Sequence, residues 1–365
     1  LVFADRSLKA GSLEAKAAYQ PMRTSYADGI LTVYNRLDFT DLREYRFSYE
    51  IEVDGAVTES RAMVLEVKPH EAAEVPVEYA PAECRYGAYL NAFLEKDGKV
   101  YAETQHRLPC NLQAGARAGK AALAVDGENI YAQGDGFSYV FSRHYGGFVS
   151  MAADGKEQLS GRMRLSAYRA VTDNDRKIKV RWTTQTVWQG ENLDRTFSKV
   201  YRCEVEDGVI RVEGALAGVG RSPFFRYRLD VTIREDGQVD FFLDGDVREN
   251  AVWLPRLGFE MELPGENGGF VYYGQGPGEN YCDMCHGSRV GLYASDVQKE
   301  YVPYVRPQEH GNHTQVKLLR IGGLEFTSEQ GFEANVSQFS MEALDRAEHT
   351  DELAADGKVH LRIDY

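Results

Sequence analysis

Strict alternation of apolar and polar residues is the feature that most limits what this chain can fold into. Residues 45–53 read Tyr-Arg-Phe-Ser-Tyr-Glu-Ile-Glu-Val, so every second side chain is apolar. A helix would scatter these around its circumference, whereas a strand places them all on one face. Asp54-Gly55 follows at once, a pair that accepts the positive φ of tight hairpin turns. The same grammar returns in residues 227–234, closed by Asp236-Gly237. Asp-Gly also stands at Asp28, Asp97, Asp126, Asp135, Asp154, Asp207, Asp244 and Asp356. Short runs separated by such turns predict an all-β fold of antiparallel sandwiches. The amphipathic helices of roughly 10–15 residues that a βαβ protein interleaves are missing from the pattern. One helix is predicted, over residues 341–347 with Ser340 as its cap.

At 365 residues the chain exceeds one ordinary domain. The run Gln113-Ala114-Gly115-Ala116-Arg117-Ala118-Gly119-Lys120 has no large apolar residue and follows Pro109. It predicts a linker over 113–120, with an immunoglobulin-sized β-sandwich over 1–112 and a larger sandwich over 121–365.

A net charge of −14 repels phosphate backbones, which excludes nucleic acid as a partner. One basic cluster, Arg164, Arg169, Arg176, Lys177, Lys179 and Arg181, is read as a solvated strand edge. No apolar run approaches the roughly 20 residues of a membrane span. The 22 Tyr and 17 Phe suit half-buried strands, although such rings also stack on sugars. Five cysteines, an odd number in a long chain, argue against a disulfide scaffold, and a reducing cytoplasm is the default. The first residue is Leu1 rather than Met, so the sequence is read as a piece whose true N-terminus is missing.

Cys282-Asp283-Met284-Cys285-His286 spells a haem-attachment pattern, but neither the helical setting nor the axial partner it needs is visible, so two loop thiols are expected. His310-Gly311-Asn312-His313 lacks both the i, i+4 spacing and the third ligand of a zinc site, so no metal is expected. The 56 acidic residues show no spacing that would fix a glycosidase pair about 5–10 Å apart, so no catalytic residue is assigned. Three segments crowd polar side chains against aromatics: residues 168–176, 272–281 and 301–311. The Asp and Asn of the first fix sharp turns, and the two prolines of the third make an extended stretch poor in ladder bonds. Rigid polar loops of this kind either hold structure or contact a ligand or another domain.

These segments carry a family resemblance. Arg169-Ala170-Val171-Thr172-Asp173-Asn174-Asp175 resembles the Arg-Ala-Pro-x-Asp-Asn-Asp signature of the C-terminal domain of family 2 β-galactosidases. Residues 274–281 resemble that domain's Gly-x-Gly-Pro-x-Glu-Asn-Tyr, and residues 304–311 its Tyr-Val-x-Pro-Gln-Glu-Asn-Gly. Residues 1–6 with Glu14-Ala15-Lys16 resemble the join between that family's catalytic barrel and its following immunoglobulin-like domain. Val171, His310 and Cys282 depart from the usual Pro, Asn and Pro, and the loop after Asp175 is basic.

The resemblance implies an immunoglobulin-like domain followed by a galactose-mutarotase-like supersandwich. It implies a parent that hydrolyses terminal β-galactosides with retention, using two glutamates and magnesium held by a (β/α)8 barrel absent here. This chain is then expected to be inactive alone, to need no cofactor, and to pack against its own barrel. It would supply part of the rim that meets the β-galactoside, in a parent that can be a homo-oligomer. A substrate-stacking Trp near the family's C-terminus would fall beyond Tyr365. The rim or domain-contact candidates are Arg169, Asp173, Asn174, Asp175, Arg176, Lys177, Glu279, Asn280, Tyr281, Tyr304, Pro307 and Glu309. Two alternatives stay open: an autonomous carbohydrate-binding module, and an aldose epimerase using a His and Glu pair.

Overall fold

The computed structural model describes residues 2–3, 5–177, 179–182 and 190–365. Leu1 and Ala4 of the leading stretch, and Ile178 of the basic loop, lie outside the described residues. The fold is all-β, and every described strand pairing is antiparallel except one parallel pair, Glu83–Cys84 with Asn111–Leu112.

The first alternating run becomes strand Arg46–Val53, with Phe47, Tyr49 and Ile51 fully or almost fully buried. It lies in a four-stranded sheet ordered Ala56–Met63, Arg46–Val53, Ala88–Lys96, Lys99–Leu108. A three-stranded sheet of Met22–Ala27, Ile30–Asn35 and Ala72–Pro76 contributes Met22, Leu31, Val33 and Val75 to the same apolar cluster. Residues 113–119 lie outside any strand and are mostly exposed.

A second and larger cluster runs from Ala121 to Leu361. It is enclosed by three sheets. One has five strands drawn from residues 123–157. One is a four-stranded meander of Thr196–Glu206, Val209–Gly218, Phe225–Ile233 and Val239–Val247. The third has seven strands, in the order Arg164–Ser166, Gly258–Pro264, Lys358–Asp364, Leu324–Ser337, Asn312–Ile321, Gly269–Gly276, Arg289–Asp296. In Phe225–Ile233 the alternation is kept: Tyr227, Leu229, Val231 and Ile233 are buried.

Asp-Gly marks turns as expected at Asp28, Asp54, Asp97, Asp154 and Asp207, where both residues have positive φ. Asp244-Gly245 does not. It lies inside strand Val239–Val247, with Gly245 opposite Tyr227. A Cβ there would sit 2.4 Å from the Arg226 carbonyl and 2.7 Å from the Phe225 ring, so this glycine serves close packing rather than a turn.

Helix Met341–Arg346 forms where expected, with Ser340 Oγ accepting from Ala343 N at 3.1 Å. A longer helix, Ala10–Tyr19, escaped the sequence reading because it has no side-chain cap and buries no residue. Its signal is Ala-rich composition alone. Cys84 and Cys110, for which the sequence reading placed no disulfide, are bonded across the parallel pair, leaving Cys203, Cys282 and Cys285 free. Among the described residues, no helix is long and apolar enough to cross a membrane.

Gln105 ties the two halves together. Arg289–Asp296 is an edge strand, whose outward backbone groups need partners. The Gln105 side chain donates to Val290 O and accepts from Val290 N, both at 2.8 Å, and also donates to Asn91 Oδ1 at 2.9 Å. Tyr89, Tyr273, Val290 and Leu318 form a small apolar cluster beside it. Gln105→Leu leaves the Val290 groups unpaired and is expected to lower stability by about 1–3 kcal/mol, read as an earlier urea midpoint. An unchanged midpoint would show that water replaces the amide without loss.

Candidate functional site

The strand register builds the floor of the site. It sets Asn312, Asn335, Arg362, Glu260 and Arg164 in a single row across five strands of the seven-stranded sheet. The next row on that face carries Glu333, Asp364, Gly258 and Ser166. Such residues read as solvent-facing in an alternating strand, but most of them are buried beneath the loops. A charge can stay there only when paired and hydrogen-bonded. Arg256 supplies the largest share of that pairing. Its guanidinium donates to Asp364 at 2.6–2.9 Å, to Glu260 at 2.8 Å and to Tyr168 O at 3.2 Å. Burial alone would raise the Glu260 carboxyl, but Arg256, Arg164 and Arg362 outweigh it and hold it below the usual range.

The three segments singled out in the sequence converge over this floor. Arg169 forms a two-pronged pair with Asp175, Nε to Oδ2 and Nη2 to Oδ1, each at 3.1 Å. Asp175 also accepts from Thr172 N, which closes the turn. Asp173 N donates to Gln308 Oε1 at 2.9 Å, joining the first segment to the third. Glu279 joins the second to the third, accepting from Tyr304 OH at 2.5 Å and from Gly311 N at 3.0 Å. Burial raises the Glu279 carboxyl, and those two donors offset only part of the rise.

Asn280 is fully buried and binds on all sides: its amide donates to Gln275 O and Gly278 O, and its carbonyl accepts from Thr314 N and Oγ1. Glu309 Oε1 accepts from Asn335 and Arg362, while burial raises its carboxyl against the pull of Arg362, Arg256 and Arg169.

The twelve candidates therefore separate. Asp175, Glu279, Asn280, Pro307 and Glu309 are buried, and Arg169, Arg176, Tyr281 and Tyr304 are partly so. Asp173, Asn174 and Lys177 are exposed. The basic cluster is not a strand edge: only Arg164 lies in a strand, and Arg164, Arg169 and Arg176 pair with Glu260, Asp175 and Asp173. Sequence reasoning missed Arg256, Glu260, Glu333, Asn335, Arg362 and Asp364.

Neither histidine of the 310–313 run is arranged as a metal ligand. His310 donates from Nδ1 to Gln308 O, and burial lowers its pKa to about 4, so the ring is neutral near pH 7. His313 lies between Gln275 O and Glu300, with Tyr272 packed against its ring. Among the described residues, no group of three His, Cys, Asp or Glu side chains could hold a metal ion. Cys282 is exposed and Cys285 half-buried, both free, and His286 is tied to Glu14 rather than to the thiols.

Residues 133–365 match the family model described as "Beta galactosidase small chain". The chain belongs to that β-galactosidase small chain family. Residues 31–110 match a second model, "Beta-galactosidase, domain 4". Among curated relatives, a β-galactosidase of Priestia megaterium is 29% identical across the whole chain, and one of Lactobacillus delbrueckii subsp. bulgaricus 30% identical over 97% of it. A third, from Actinobacillus pleuropneumoniae, is 26% identical across the whole chain. The chain spans only 36–37% of the length of these relatives. All three resembling segments fall inside the small-chain match, so the buried loop frame lies within the family's own region.

Proposed function

We propose that this chain is the non-catalytic C-terminal part of a retaining family 2 β-galactosidase, supplying scaffold and part of the active-site rim. It is built as two domains, 1–112 and 121–365, joined by 113–120. Hydrolysis with retention needs two carboxylates about 5 Å apart, which this reading assigns to a (β/α)8 barrel outside this sequence. The magnesium that the resemblance implies belongs with that barrel, since no described donor set here fits a cation.

The observation that carries the reading is the contrast between frame and tip. The frame of Asp175, Glu279, Asn280 and Glu309, with the partly buried Arg169, is bonded inward, and its carboxylates are covered rather than open to a substrate. The tip at Asp173, Asn174 and Lys177 is presented outward on that rigid base. Such a loop can line a site that another domain completes. The test is turnover of a nitrophenyl β-galactoside. The 365-residue chain alone is expected to give none above background, and the chain joined to the barrel-bearing remainder of a relative is expected to give activity. Turnover by the chain alone, or a joined protein that folds but stays inactive, would overturn the reading.

A further inference from the structure

We infer that Trp253 is a sugar-stacking plate, a binding site for the apolar face of a pyranose ring on this chain. Its side chain is 64% exposed, which is unusual for the largest apolar residue. The more exposed Phe39 and Tyr365 have no ring partner among the described residues, and Tyr101, Tyr145 and Phe241, which do, are exposed to only 39–44%. Trp253 is mounted. Its ring stacks on Trp182 with centroids 6.0 Å apart and planes 26° from parallel. Trp182 is itself almost fully buried, and its Nε1–H donates to the Trp253 carbonyl at 3.0 Å.

The start of the loop is fastened at Arg248 as well. Arg248 donates to Ser222 O and Pro223 O, pairs with Glu191, and accepts at its carbonyl from Ala251 N. A ligand that meets a ring held this way orders nothing further, which is what a weak site needs in order to bind at all. The chemistry of the ligand follows from the surface. An indole offers a flat, electron-rich face that attracts the slightly positive C–H groups of a pyranose. The exposed Glu249 and Asn250 stand on the same loop, four and three residues before the ring, and supply the polar groups that small-ligand sites add to an apolar face. An anionic ligand would need a cation free of Glu191, and a lipid surface would need a wider apolar patch than one ring.

The ring beneath the plate is also close along the chain to the proposed rim. Trp182 ends the helical turn Lys179–Trp182, which begins two residues after the turn Asp175–Lys177 ends. The choice of galactosides as probes rests on the proposed function; the binding itself does not.

The experiment uses the 365-residue chain. Methyl β-galactopyranoside and lactose are titrated by saturation-transfer NMR and by tryptophan fluorescence, with sorbitol as a polyol lacking a ring face. Saturable binding in the millimolar range is expected for both sugars and none for sorbitol. Trp253→Ala should weaken it at least tenfold, and Trp253→Phe should retain part of it. Circular dichroism should be unchanged, because the side chain lies outside the core and the Trp182 bond goes to backbone. No saturable signal in the wild-type chain, equal binding by Trp253→Ala, or equal binding of sorbitol would each overturn the assignment. Failure here leaves the activity of the barrel-joined protein intact, and failure there leaves this binding intact, so the two ideas fall separately.

Discussion

Replacing Arg256 by methionine is expected to remove about 3–5 kcal/mol of folding free energy near neutral pH, the range seen when one member of a buried ion cluster is deleted. The arginine side chain is 6% exposed and holds Asp364 and Glu260 on either side. Methionine matches much of its volume but leaves two buried carboxylates facing each other without their shared cation. The pH dependence gives the effect a signature. The folded Glu260 pKa is depressed, so its contribution is present above the unfolded value of about 4.3 and is lost as pH falls through the folded one. Without Arg256 the Glu260 carboxyl protonates at higher pH, which relieves the unpaired charge. The gap between wild type and variant should therefore be widest near neutrality and narrow in acid. Urea unfolding of both proteins across that range measures it, and a gap that holds constant or widens in acid would refute the account. Arg256→Lys should fall between the two, since it keeps the charge but not the fork that spans two acids.

That cluster also marks where sequence reading stops. Alternation located strands Arg46–Val53 and Phe225–Ile233 with the right faces inward, because each has one apolar face and a turn after it. It fails on Lys358–Asp364, where Val359 and Leu361 are buried on one face and His360, Arg362 and Asp364 on the other. A period of two cannot distinguish a polar face covered by loops from one covered by water. Glu52 fails for the same reason, buried beside Asn91 where the second sandwich packs. The loops themselves were legible as unusual, since Asp173-Asn174-Asp175 and Gly276-Pro277-Gly278 carry turn chemistry in their residue types. Which side chains turn inward was not legible. Asn280 and Glu309 are buried by strands remote in sequence, and local spacing holds no record of those.

Asn280 gives the second large effect. Asn280→Ala takes the acceptor from the buried Thr314 amide and removes a donor from the part-buried Gln275 and Gly278 carbonyls, while the Thr314 hydroxyl keeps Gln275 Oε1 and the Gln275 carbonyl keeps His313. Leaving the buried Thr314 amide unsatisfied and loosening the turn's two carbonyls is expected to cost about 2–3 kcal/mol, on the order of one such group's full penalty. Asn280→Asp separates the hydrogen-bonding cause from simple loss of volume. It keeps the acceptor that faces Thr314 but turns a carboxylate oxygen toward two carbonyls. The new acid is desolvated and repelled, so its folded pKa must lie above the unfolded one. A raised acid destabilises above its folded pKa and recovers as the pH falls through it. Asn280→Asp should therefore regain stability relative to wild type in acid, whereas Asn280→Ala should show a nearly pH-independent deficit. Thermal unfolding of the three proteins from neutral to acid pH decides this, and parallel curves for both variants would refute it. The consequence reaches the proposed rim. The turn that Asn280 holds carries Glu279, which fixes Tyr304 and Gly311, and Gln308 beside them fixes Asp173. In a barrel-joined enzyme kept below its melting point, Asn280→Ala should lower kcat/KM on the order of tenfold, as misplaced positioning groups do. An undiminished kcat/KM there would mean that the frame supports the fold and not the site.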